Sequence, residues 1–242
     1  MENILEVVNI SKSFDKKSIL FNLNLNIKKN LITVLMGPNG VGKTTLINII
    51  LGLVPLDSGD IFINGEKIKN SLTIPQKKTI CFIPDSQPFL DYLTGLENLK
   101  YISYIYKKNL NETKLHEIMN DFNLNPLDST LVSDYSRGMK TKLSLCFIEI
   151  IDAELIILDE PTIGLDIVSI EYLRNNIFKF KGQNKSIFIT SHDMEFVRSI
   201  ADEIYVLNNK KSSLLFDSQQ KLSIRDIDIL SNSLISTIKS TS

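Results

Sequence analysis

Two stretches of this 242-residue chain combine residue types and spacings suited to polyphosphate chemistry. The first is GPNGVGKT, Gly37 to Thr44, set between the apolar run LITVLM and the helical pattern TTLINIILGL. Gly37, Gly40 and Gly42 let a backbone wrap with its N–H groups inward, forming an anion nest at a helix start. Lys43 brings a point charge to the β- and γ-phosphates of a nucleotide, and Thr44 offers a hydroxyl to Mg²⁺. The second stretch is LIILDEP, Leu155 to Pro161. Its four apolar residues bury a strand, and Asp159 leaves at the carboxyl end as the acid that holds Mg²⁺ through water. Glu160 follows directly, where a base or water-positioning group belongs.

A third stretch, DYSRGMKTKLSLC at 134–146, looks like another phosphate-binding helix start. Ser136 and Gly138 lie in a polar turn, ahead of apolar residues that can pack one helix face. The chain thus offers a second phosphate site nearly a hundred residues from the first. His192 closes the apolar run SIFITS, at the end of another buried strand.

Elements that can position these groups are legible from periodicity. The first 30 residues alternate as strands, with SFDKKS as a hairpin turn. LITVLMG reads as a doubly covered parallel strand. Short strands are expected at DIFING and TICFIP, and further strands at LIILD, SIFITS and EIYVLN. From about Asp91 to Ile151 the spacing turns helical. Strand–helix alternation on both sides of a helical block predicts an α/β sheet with a helical insertion. After Lys211 the chain is polar and is expected to fray.

Composition narrows the function. The 27 basic and 28 acidic residues leave a net charge of −1. Nucleic-acid binding ordinarily shows as a basic excess, so no nucleic-acid partner is expected. Cys81 and Cys146 lie in apolar runs without metal-ligand spacing and read as reduced core residues. MENILEVVNI lacks the basic stretch and apolar core of a signal peptide, and no window is apolar for the ~18 to 20 residues of a membrane helix.

With these motifs in this order, the chain resembles the ATP-binding subunits of ABC transporters, from about residue 4 to residue 220. The resemblance implies an α/β fold: a P-loop NTPase (RecA-like) core with an antiparallel β subdomain and an inserted helical subdomain. It would place the core and β subdomain at 1–84 and 152–220, the helical subdomain at about 85–151, and a tail at 221–242. It implies ATP and Mg²⁺ as ligands, with Thr44 and Asp159 as metal residues and Lys43, Glu160 and His192 as catalytic ones. The nucleotide would be bound by Phe14, stacked on adenine, and by Gly37, Pro38, Asn39, Gly40, Val41, Gly42, Lys43, Thr44 and Thr45.

The third stretch then matches the signature motif, usually Leu-Ser-Gly-Gly-Gln, which faces the γ-phosphate held by a second subunit. Here it reads Tyr-Ser-Arg-Gly-Met, so Ser136, Arg137 and Gly138 would serve a neighbour's nucleotide. Arg137 either adds a contact to that phosphate or turns away toward solvent or the helical subdomain. Signatures of this type resemble those of drug, antibiotic and lantibiotic self-protection exporters. Asp166 matches a loop that crosses the dimer interface. Where the family usually has a glutamine that relays toward the permease, this chain has Asp85, with Gln87 two residues on; either can take the role.

The resemblance implies a homo- or heterodimer on the cytoplasmic side of a membrane, driving a separate integral permease. Its contact surface would be the groove beside Asp85 and the aromatic segment YLTGLENLKYISYIY, whose tyrosines otherwise read as subdomain core. Two other classes compete. Soluble ABC ATPases that act on ribosomes or DNA usually carry two cassettes or a long coiled-coil insertion, and neither is present. An ATP-sensing module without hydrolysis would not need Lys43, Asp159, Glu160 and His192 together.

Overall fold

The computed structural model describes residues 2–69 and 71–217; the expected tail at 221–242 lies outside them. The chain divides into two compact units, one made of residues up to Lys77 with those from Ser186 onward, the other of Lys78–Lys185.

In the first unit, β1 (Asn3–Phe14) and β2 (Lys17–Lys28) pair antiparallel. Their connection is the turn anticipated at SFDKKS. Asp15 and Lys16 have positive φ, 45° and 68°, the combination whose twist matches that of the flanking strands. Alternate side chains are buried, among them Leu5, Val7 and Ile10 on β1 and Leu23, Leu25 and Ile27 on β2. β4 (Ser58–Ile63) pairs antiparallel with the other edge of β1, and the short β5 (Glu66–Lys67) follows it. A Cβ at Gly59 would lie 2.5 Å from the Asn9 carbonyl oxygen, so only glycine fits this crossing.

β3 (Ile32–Met36) is buried at every residue. It is flanked in parallel by β8 (Ser186–Ser191) and β9 (Glu203–Asn208). Parallel strands need covered crossovers: α1 (Lys43–Ile50) follows β3, and α7 (Met194–Ile200) joins β8 to β9. The fully buried Glu203 carboxylate is ion-paired with Lys28 Nζ at 2.5 Å and accepts from the Thr33 hydroxyl at 3.4 Å, tying three strands together. One expectation is corrected here. As far as Asp217 the chain does not fray after Lys211: β10 (Lys211–Asp217) pairs antiparallel with β9. Its polar residues gave no strand signal, because the ladder is made by backbone groups whatever the side chains.

In the second unit, the short helix α2 (Ile74–Thr79) runs into β6 (Ile80–Ile83), which pairs in parallel with β7 (Leu155–Asp159). Between these strands lie α3 (Gly95–Ile105), α4 (Glu112–Asp121) and α5 (Arg137–Ile151); α6 (Ile167–Gly182) follows β7. α3 opens on a reciprocal cap: Thr94 Oγ1 accepts from the Glu97 N–H, and Glu97 accepts from the Thr94 N–H. α5 is the central element, packing on α3, α4 and α6. Phe122 is fully buried, with its ring 6.2 Å from that of Phe180 and under the Lys179 ammonium.

Among the described residues no helix is long and apolar enough to cross a membrane. Cys81 and Cys146 are buried free thiols. Burial pushes the Cys81 thiol up to about 12 and raises that of Cys146 as well. Since the thiolate is the reacting species, a disulfide reagent at pH 8 should modify the folded protein at least about a hundredfold more slowly than the unfolded chain. Rapid modification of either thiol under native conditions would contradict this burial.

Candidate active site

The first unit carries the phosphate loop. Met36, the last residue of β3, pairs with Ser191, the last of β8. Gly37 and His192 therefore leave neighbouring strands at the same edge, the carboxyl ends where open α/β sheets bind ligands. Gly37 is held tightly: a Cβ there would be 2.7 Å from the Leu207 carbonyl oxygen. Pro38, Asn39 and Gly40 turn outward, and Gly42 caps α1 at φ +115° with no side-chain cap. A Cβ on Gly42 would also meet Ile19 Cγ2 at 2.9 Å. Lys43 is buried, its ammonium donating to the carbonyls of Gly37 at 2.6 Å and Pro38 at 3.2 Å. The cation is thus folded back over the loop that its charge is suited to serve.

Phe14 ends β1, half-exposed. Sequence reasoning missed the group beneath it. The buried Lys12 ammonium stands 5.1 Å from the ring centroid and 2.9 Å from Asp57 Oδ1. The Lys12 hydrogen bond, with a second from the Ser13 N–H, holds the Asp57 carboxyl below its usual range. One face of the ring is thereby fixed over a cation. Leu20, across β2 from Lys12, is also close to Gly42, so the hairpin bearing Phe14 packs against the phosphate loop.

The second unit carries the acids. Ile83 pairs with Leu158, so Asp85 and the pair Asp159–Glu160 leave β6 and β7 side by side. Asp159 and Glu160 are 5% and 8% exposed, deep burial for two adjacent carboxylates. Glu160 adopts φ +48°, a backbone state that non-glycine residues take at a cost and that concentrates at functional positions. Both acids line a recess with Asp85, Gln87, Arg137 and Thr141.

Ser136 is the N-cap of α5, its Oγ accepting from the Met139 N–H at 3.2 Å. Gly138 lies close against α6, where a Cβ would come within 2.8 Å of Ser169 Oγ. Arg137 turns back within its own unit: Nη1 is 3.6 Å from Asp85 Oδ1 and donates to the Asp85 carbonyl at 3.3 Å. Asp166 caps α6 by accepting from the Ser169 N–H at 2.7 Å, which lowers its carboxyl below the usual range.

A family model described as "ABC transporter" matches residues 20–163, more than half of the chain. The chain belongs to the ABC transporter family. It is 34% identical to the lantibiotic transport ATP-binding protein SrtF of Streptococcus pyogenes, over 83% of this chain and 85% of that one. It is also 34% identical to the SkfA peptide export ATP-binding protein SkfE of Bacillus subtilis (strain 168), over 86% and 87% respectively. A solved ATP-binding subunit of an ABC transporter superposes with a TM-score of 0.80 at 26% identity, covering 96% of this chain and 99% of that one. The ABC ATPase fold anticipated from the motifs is therefore present, and the chain is the ATP-hydrolysing subunit that powers a transporter.

Gly42→Ala should weaken ATP binding about tenfold or more and lower the melting temperature by several degrees. The added methyl meets Ile19, and alanine at this φ costs about 1–3 kcal/mol. Equilibrium binding of a fluorescent ATP analogue checks the prediction; unchanged affinity would refute the importance of this turn.

Proposed function

We propose that this ABC ATPase drives an exporter as one half of an ATP-sandwich dimer, bound to an integral permease on the cytoplasmic face of a membrane. The observation that carries the nucleotide chemistry is the glycine-capped start of α1, with Lys43 folded over the loop. Lys43 and the N–H groups of residues 37–45 would grip the triphosphate, and Phe14 would stack on adenine. Thr44, exposed at the first turn of α1, and the buried Asp159 are hard oxygen donors of the kind Mg²⁺ takes alongside substrate phosphates. When bound, the ion would neutralise charge developing on the phosphates. Glu160 and His192 would position water for in-line attack, and Asp159 would hold the metal.

Other features support the partners. Ser136 and Gly138 suit the γ-phosphate of a second subunit, since the cap leaves the serine O–H free to donate. Ile167 and Val168, directly after Asp166, are 85% and 77% exposed, as expected of residues that meet another subunit. Tyr92, Tyr101 and Tyr104 are exposed rather than core, aromatic surface on the helical segment 85–151 suited to a permease. Export of a peptide-class cargo is favoured by the relatives, two of which are named for lantibiotic transport and peptide export. The near-neutral charge speaks against a ribosome or DNA client.

Glu160→Gln should keep ATP affinity and accumulate a dimer on a sizing column with ATP and Mg²⁺, while turnover falls about a hundredfold or more. Capture of that variant from detergent-solubilised membranes should bring down a polytopic protein. Normal turnover would remove the assigned role of Glu160, and recovery of ribosomes or DNA instead would remove the transport reading.

A further inference from the structure

Arg137 occupies the third position of the signature stretch, and its side chain, about half-exposed, makes its contacts within its own unit. It meets two loops that leave the carboxyl ends of β6 and β7. On the β6 side, Nη1 donates to the Asp85 carbonyl at 3.3 Å and lies 3.6 Å from the same residue's carboxylate. On the β7 side, the Arg137 side chain crosses Gly164, where a Cβ would stand 3.3 Å from Nε and 3.6 Å from Cγ. Gly164 has φ +72° and lies two residues before Asp166, the cap of α6. A bulkier residue at 164 would push the arginine off this path. Arg137 also lines the recess shared by Asp85, Asp159 and Glu160.

We propose that Arg137 is a positioning residue that clamps the Asp85 loop and the Gly164 turn to the start of α5. Its work is done within its own subunit: it fixes the shape of the acidic recess instead of touching the neighbour's phosphate. A planar fork with several donors can hold a backbone carbonyl and a carboxylate together, which a lysine ammonium does with less directionality. Any displacement of the helix start bearing Ser136 is then passed directly to Asp85. This role rests on the reading above that Glu160, which lines the recess, positions the attacking water.

The two levels separate experimentally in the full-length protein. Hydrogen exchange reports the clamp without reference to activity, and steady-state kinetics report the recess. Arg137→Gly and Arg137→Gln should each speed amide exchange in segments 84–90 and 162–168 about two- to fivefold, the range of a partly exposed charged contact. The kcat for ATP should fall by a similar factor with KM unchanged, and Arg137→Lys should recover part of it. Combining Arg137→Gly with Asp85→Asn should give less than the product of the single effects, as contacting partners do.

Unchanged exchange in both segments overturns the clamp. So does a raised KM for ATP with unaltered exchange, the pattern expected if Arg137 reached the neighbour's nucleotide. Faster exchange with unaltered kcat supports the clamp and counts instead against the recess as the place of water attack.

Discussion

The start of α1 has to stay open, and much of the surrounding structure answers to that constraint. The first N–H groups of a helix lack internal partners and are normally met by a side chain. α3, α4, α5, α6 and α7 all follow that rule, opening on Thr94, Asn111, Ser136, Asp166 and Asp193, each of which accepts from its own first turn. α1 opens instead on Gly42, with no side-chain cap and no acid in its first turn. A carboxylate there would compete with a phosphate for the same N–H groups. Glycine leaves them available, at the cost of a left-handed residue wedged against Ile19. The hairpin that supplies this wedge also carries Phe14, so one packing contact bears on both ends of a nucleotide site.

The second unit handles charge differently. Asp159 and Glu160 are buried in sequence, where two carboxylates repel each other and each loses hydration. Arg137 introduces an opposite charge into the recess they share with Asp85. The signature serine shows a related economy. By accepting the Met139 N–H, its hydroxyl oxygen is oriented while the O–H remains free to donate. A capping contact that stabilises α5 thus also presents a donor outward.

The parts legible in the sequence were those fixed by local rules. GPNGVGKT after a buried strand, LIILD before a glutamate, and apolar runs at ITVLM and SIFITS are patterns that short-range physics dictates, and strands and loop stand where they point. What escaped was long-range or carried by long side chains. β10 exists because its backbone satisfies β9, and nothing in KSSLLFD announces a partner. The Lys12 ammonium under Phe14 depends on Asp57, 45 residues away. The exposure of Tyr92, Tyr101 and Tyr104 could not be told from core spacing, because aromatic residues at helical intervals suit either face.

Arg137 and Asp85 show why two departures from a motif are better weighed together than singly. Taken alone, an arginine in place of a signature glycine suggests an added phosphate contact, and an aspartate in place of a glutamine suggests an altered metal or water contact. In the structure the two side chains face one another, 52 residues apart in the chain. One substitution adds a positive charge and the other a negative one, so the local charge is the same as for the neutral glycine and glutamine. The pair is about half-exposed, where an ion pair contributes at most about 1 kcal/mol. Its consequence is therefore geometric rather than energetic: a flexible glycine start is replaced by a side chain that spans two loops. Gly164 completes the arrangement, since an added Cβ there would stand 3.3 Å from Arg137 Nε. Three positions that look unrelated along the sequence thus form one contact, and none of them has a full physical account without the others.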